Sequence, residues 1–211
     1  MQTTLRLRRN TAAGNRTAAA AERQGEQLME TSAKLDSEWS QVPCVWGSNE
    51  PTLCFLASLP AGTAELRLAA ASVYRLRLDG QVKAYGPARA PLGFARVDRI
   101  PVCADAGTLV SIEVVGYATP NFYYPKQPPF LKAAFFDRAG TLLGATGDGR
   151  TFHLFRLPFR QWNVPKLTHQ RDLMEVYDFT LSPEAAEWFR QRNPKLEAVA
   201  EERVSQPPRL L

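Results

Sequence analysis

Carboxylates are the first residues to weigh for chemistry, because glycoside hydrolysis needs two of them facing each other across a bond, one protonated and one ionised. Asp79, Asp98, Glu113, Asp137, Asp148, Asp172, Glu175 and Asp178 are available, but no spacing among them brings two together. Turn caps and solvated faces are their expected roles. The two histidines, His153 and His169, restrict metal binding and histidine-assisted nucleophilic catalysis. His153 falls inside an apparent strand, Thr151-Phe152-His153-Leu154-Phe155, where an ordinary sheet position is expected. The sequence has no His-Glu-x-x-His, no Gly-x-Ser-x-Gly elbow and no phosphate loop of the Walker type. Gly144-Ala145-Thr146-Gly147-Asp148-Gly149 lacks a following Lys-Ser/Thr and a helix, so it reads as a turn. Cys44, Cys54 and Cys103 are odd in number and form no Cys-x-x-Cys pair, which fits neither a disulfide framework nor a zinc site. They read as buried thiols of a reducing compartment, and no metal or cofactor is expected.

One segment has chemistry of a different kind. Tyr117-Ala118-Thr119-Pro120-Asn121-Phe122-Tyr123-Tyr124-Pro125 gathers four aromatic rings after a strand. Rings on a loop offer flat apolar faces to the C–H side of a sugar, with tyrosine hydroxyls and Asn121 as hydrogen-bonding groups. Tyr117, Asn121, Phe122, Tyr123 and Tyr124 are therefore candidate substrate-binding residues. The alternative is structural: the same rings close one end of the fold or pack on a neighbouring domain.

The elements that must position these residues are short. Ala64 to Ala70 reads as a strand, and Val73-Tyr74-Arg75-Leu76-Arg77-Leu78 alternates with period two before Asp79-Gly80, a pair suited to a tight hairpin. Gln81 to Tyr85 is the expected return strand. Leu109 to Tyr117, Phe130 to Phe136, Thr141 to Ala145 and Thr151 to Leu157 follow, with a turn at Asp137-Arg138-Ala139-Gly140. Strands at this spacing, without helical periods between them, predict an all-β fold: an antiparallel β-sandwich of jelly-roll, galactose-binding-like type. One C-terminal helix is expected from Ser182, a capping residue, through Pro183 and Glu184 to the break at Asn193-Pro194. Lys195 to Leu211 reads as a linker or frayed end. No internal repeat is visible.

Residues 1–36 are rich in Ala, Arg, Thr, Gln and Glu and poor in large apolar side chains, so they are expected to be disordered. They also suit a transit peptide, or a misassigned start with Met29 as initiator. The expected organisation is a tail over 1–36, a sandwich module over 37–180, and a helix and linker over 181–211. The 211 residues carry a net charge of +5, of which +3 lies before Leu28 in five arginines against Glu22 and Glu26. The body is thus nearly neutral and lacks the basic face that phosphate recognition demands. Neither a secretory signal nor a run of 18 apolar residues is present, so a cytoplasmic protein with no membrane or nucleic-acid partner is expected.

Taken in order, several segments resemble the N-terminal region of bacterial α-L-rhamnosidases of glycoside hydrolase family 78. They are Tyr74-Arg75-Leu76-Arg77-Leu78-Asp79-Gly80-Gln81-Val82, Tyr85-Gly86-Pro87-Ala88-Arg89, Val97-Asp98, Val114-Val115-Gly116-Tyr117, Phe122-Tyr123-Tyr124, Gln127-Pro128-Pro129-Phe130-Leu131 and Gln170-Arg171-Asp172-Leu173-Met174-Glu175-Val176-Tyr177-Asp178. The resemblance implies β-sandwich modules here and the acid and base carboxylates in a later helical barrel. It implies no catalytic residue in this chain, and it adds Arg89 to the candidates for facing substrate or the catalytic domain. The first 36 residues match nothing in the pattern, and the chain ends well before such a barrel. Three functions follow: a non-catalytic accessory module whose partner is the downstream catalytic domain, with rhamnose-containing carbohydrate as a second contact; an autonomous carbohydrate-binding module or lectin; or a protein-interaction sandwich.

Overall fold

The computed structural model describes residues 30, 34, 36–47, 49–117, 127–165, 174–180 and 186–211. Two six-stranded sheets face each other. The first contains β1 (Val45–Trp46), β3 (Glu65–Ala71), β7 (Asp98–Pro101), β9 (Phe130–Phe136), β10 (Leu142–Ala145) and β15 (Glu202–Arg203), in the order β15-β1-β9-β3-β7 with β10 also on β9. The second runs β14-β11-β2-β8-β4-β5, from Ala198–Val199 (β14), His153–Arg156 (β11), Thr52–Ser58 (β2), Leu109–Val115 (β8), Val73–Leu78 (β4) and Gln81–Gly86 (β5). Every pairing within these sheets is antiparallel. The all-β sandwich expected from the sequence is the fold found.

Alternation along the strands builds the interior. Val110, Ile112 and Val114 of β8, Leu76 and Leu78 of β4, and Leu131, Ala133 and Phe135 of β9 point into one apolar cluster, where Phe135 stacks on Phe152 with ring centroids 5.4 Å apart. Asp79 and Gly80 take φ of 46° and 80°, as the predicted hairpin between β4 and β5 requires. The Asp137 carboxylate accepts the N–H groups of Ala139 and Thr141, fixing the turn before β10.

Both outer faces are covered as well. Residues 36–41 form helix over the first sheet, where Trp39 and Val42 pack with Ala69, Ala71, Phe130 and Phe136. Glu30, Lys34 and Asp36 of the expected tail are described and exposed, and Asp36 bonds Arg67 at 2.7 Å; the rest of that tail lies outside the described residues. Over the second sheet, the strap from Leu157 onward pairs β12 (Arg160–Gln161) with β13 (Val176–Tyr177) and presses Leu157, Phe159 and Trp188 onto Cys54, Leu56 and Leu109.

Three elements differ from the sequence reading. Strand β2, central in its sheet, reads Thr-Leu-Cys-Phe-Leu-Ala-Ser and shows no alternation, because both of its faces are buried. The described part of the expected C-terminal helix is a 3₁₀ turn, Trp188–Arg190, while 181–185 lie outside the described residues. The stretch read as linker instead gives β14 to one sheet, β15 to the other, and β16 (Arg209–Leu210) to a parallel pair with β6 (Phe94–Ala95). Unpaired sheet edges attract any nearby extended backbone, whatever its composition. Of the thiols, Cys44 and Cys54 are buried and Cys103 is exposed; burial pushes Cys44 up to about 11. No helix among the described residues is long and apolar enough to cross a membrane.

Candidate functional site

The ring-bearing loop, with Asn121, Phe122, Tyr123 and Tyr124, lies outside the described residues. Its two stems are described, and both open on one groove. Tyr117 and Gln127 line a groove of about 1150 Å³ together with Trp46, Asn49, Glu50, Pro128, Pro129, Trp162 and residues 202–206. Glycine is needed on its wall, since a Cβ on Gly116 would come within 2.5 Å of Pro129. Trp46 is part of the sandwich interior and donates its indole N–H to the Glu50 carbonyl at 2.6 Å. Trp162 is 37% exposed, an apolar plate beside carboxylate and amide groups. The Glu50 carboxylate is held by Arg156 at 3.0 Å. The surface is concave, with aromatic rings beside carboxylate, amide, hydroxyl and guanidinium groups.

Tyr117 itself is only 6% exposed. Its N–H donates to Ser72 Oγ and its hydroxyl accepts from Arg160 Nη2, each at 3.2 Å. It therefore anchors the loop stem. Arg89 is exposed and lines a narrow cleft of about 20 Å³ with Ser72, Pro87, Phe94 and Gln127. Gln127 belongs to both cavities, and Ser72 joins the cleft to Tyr117, so Arg89 and Tyr117 come to the same end of the sandwich. The other motif pieces meet nearby: the Tyr74 hydroxyl donates to Asp98 at 2.5 Å, and a Cβ on Gly86 would sit 2.9 Å from both residues. Burial, with the Asp98 hydrogen bond, pushes the Tyr74 phenol up.

The carboxylates divide cleanly. Asp79, Asp137, Asp148 and Asp178 accept backbone N–H groups in turns, and Asp172 lies outside the described residues. Glu113 and Glu175 do come together, beneath the strap, in a cavity of about 10 Å³ that they share with Arg75, Tyr85 and Arg160. Arg77 Nη1 donates to Glu113 at 3.2 Å, and Arg160 Nε lies 3.4 Å from its other oxygen. The Tyr177 hydroxyl donates to Glu113 and accepts from Arg75 Nη1 at 3.2 Å. Arg75 Nη2 donates to Glu175. Burial works to raise the Glu175 carboxyl, but the bond and charge of Arg75 outweigh it and hold the group below its ordinary value. Burial and the Glu113 carboxylate push the Tyr177 phenol up. A carboxyl acting as general acid needs the opposite of the Glu175 shift, and a cavity this small admits no sugar. The two acids form one ion cluster with Arg75, Arg77 and Arg160.

His153 stands exposed on β11, and His169 lies outside the described residues. Among the described residues no group of three His, Cys, Asp or Glu could hold a metal ion. Sequence reasoning missed Trp46, Trp162 and the 202–206 wall of the groove. A tryptophan in a polar stretch, Arg160-Gln161-Trp162-Asn163, was the available signal.

Fold and groove together define a β-sandwich module with an aromatic cleft at one end. The solved structures it resembles are enzymes. A glycoside hydrolase family 78 rhamnosidase from Bacillus sp. GL1 matches with a TM-score of 0.62 and 22% identity over 81% of this chain and 19% of its own. The α-L-rhamnosidase from Aspergillus terreus matches with a TM-score of 0.50 and 14% identity, over 82% of this chain and 22% of its own. The chain thus has the fold of a region of such enzymes and spans about a fifth of their length. No protein-family model and no curated protein matches the sequence.

Proposed function

We propose that this chain is a non-catalytic N-terminal accessory module of an α-L-rhamnosidase-like glycoside hydrolase, supporting a downstream catalytic domain and contacting carbohydrate at the groove. The observation that carries the reading is the coverage: four-fifths of this chain corresponds to one-fifth of a family 78 rhamnosidase. The ion cluster supports the non-catalytic part, since the two acids that meet are neutralised by arginines in a space too small for a sugar. Tyr123, Tyr124 and, on the groove wall, Trp162 are the residues proposed to touch sugar, together with Asn121, Phe122 and Arg89.

The chain alone is expected to release no aglycone from an aryl rhamnoside, and measurable turnover overturns the proposal. Titration calorimetry with rhamnose and rhamnosyl oligosaccharides tests the sugar contact separately. Saturable binding that Trp162→Ala weakens about tenfold, the worth of one stacked ring, is expected. The exposed Trp162 favours a second reading, an autonomous carbohydrate-binding module. That reading gains if the isolated chain binds sugar as tightly as it does when fused to a catalytic domain.

A further inference from the structure

The outer face of the second sheet is not filled where β2 ends and β8 begins. Trp188 packs on Leu56 and Leu109 there, and beside that contact opens a cavity of about 280 Å³ with Leu56, Leu109 and Pro60 in its lining. His153 lies opposite Leu56 in the register of β2 and β11, so its side chain leaves the same face and reaches the cavity. Arg150 comes from the turn before β11, and Arg192 and Asn193 follow the 3₁₀ turn Trp188–Arg190. This cavity and the groove stand at opposite ends of β2: Pro51 and Gly116 line the groove, Ser58 and Leu109 the cavity. The seven residues of the strand set them about 20 Å apart.

Donors converge on this space. Arg192 is held in place, since Nη2 donates to the Gly107 carbonyl and Nη1 to Ser58 Oγ at 3.4 Å, which leaves the rest of its five-donor fork for another acceptor. Among the described residues, His153 and Asn193 make no side-chain hydrogen bond. The Arg150 side chain is 84% exposed, with Nε 3.9 Å from Asp148, whose oxygens are taken by the N–H groups of Ala145, Arg150 and Thr151 and by the Thr151 hydroxyl. Among the described residues no carboxylate lines the cavity. A planar guanidinium takes a carboxylate or a phosphate through two parallel bonds. The floor decides for an organic anion: leucine and proline carbons offer nothing to inorganic phosphate but match the C–H face of a sugar ring. A volume just under the range of about 300–1,000 Å³ usual for ligand pockets holds one ring rather than a chain. We propose that this cavity is a second ligand site, separate from the groove, for one sugar unit bearing a carboxylate, a hexuronate. Arg192 pairs with the carboxylate, Arg150 adds charge at the rim, His153 and Asn193 bond ring hydroxyls, and Leu56, Leu109 and Pro60 carry the apolar face.

Titration of the full chain with sodium glucuronate, followed by NMR at an ionic strength matched with sodium chloride, tests the site. Saturable shifts of His153, Arg192 and Asn193 with a Kd of about 1 mM are expected. Glucose should leave them in place, and inorganic phosphate should bind at least about tenfold more weakly. Equal responses to glucuronate and to either of these overturn the proposal, as does the absence of saturation. Arg192→Gln should weaken glucuronate about tenfold and Arg150→Gln about threefold. Arg150 makes no bond to Gly107, so its variant keeps the test open if Arg192→Gln fails to fold. Unchanged affinity in a folded variant of either overturns the assignment. Trp162→Ala, in the groove, should leave the titration as it was; a response lost with Trp162 puts the binding in the groove and overturns the second site.

Discussion

The two faces of β8 are both buried, and they are buried by different physics. Toward the interior, Val110, Ile112 and Val114 meet the apolar side chains of the facing sheet. Toward the strap, Leu109, Ser111, Glu113 and Val115 meet arginines, tyrosines and a tryptophan. The apolar face gains from every atom removed from water and degrades gradually when one is trimmed. The ionic face gains little as a whole but loses heavily when one member is removed, because the partners left behind stay charged and buried. Arg77 illustrates how the strap softens this cost: its guanidinium lies 4.6 Å from the Phe189 centroid and 5.7 Å from that of Trp188, so aromatic faces substitute for lost hydration.

The contrast can be broken from either side. Phe135→Ala removes a fully buried ring stacked on Phe152 and should cost about 4 kcal/mol in urea unfolding. Glu113→Gln conserves shape and should still cost about 3 kcal/mol, since Arg77 and Arg160 lose their counter-charge. The triple change Arg77→Met, Glu113→Leu, Arg160→Met should be close to neutral by the same reasoning. A triple variant as weak as Glu113→Gln would show that the ionic face is more than a balanced set of charges.

Acid should sharpen the difference. Glu175 and Glu65 are both held below their ordinary values, so the folded state binds their protons less readily than the unfolded chain. Their contribution is complete above the unfolded value of 4.5 and is lost as pH falls through the lower folded values. Urea midpoints should therefore drop below about pH 4, and Glu175→Gln should flatten that drop while leaving the interior intact. The smallest effect of a single substitution belongs to the surface. Arg99, 58% exposed and paired with Glu65 at 2.9 Å, should cost under about 1 kcal/mol on substitution by Ala.

Period-two alternation made β4 legible residue for residue, Asp79-Gly80 made the hairpin from β4 to β5 legible too, and β9 was read as an apolar run over the residues it occupies. Among the long strands β2 was missed; like β8 and β9 it is covered on both faces, so no polar side reveals its period. The candidate site was legible in part: Tyr117 and Gln127 mark its stems, but Trp46, Trp162 and residues 202–206 join it from three distant stretches. The cluster around Glu113 was invisible in the same way. Residues 75, 77, 113, 160, 175 and 177 have no shared spacing, and only strand pairing and the strap bring them together.

The sequence by itself determined which residues form strands, where the chain turns and which side of most strands is apolar, because those choices depend on neighbours two to four residues away. The tertiary structure decided which acids meet, how far Tyr117 is buried, and that residues 195–211 pair rather than trail. Those outcomes depend on which sheet edge or open face a distant segment finds, and local composition carries no record of that encounter.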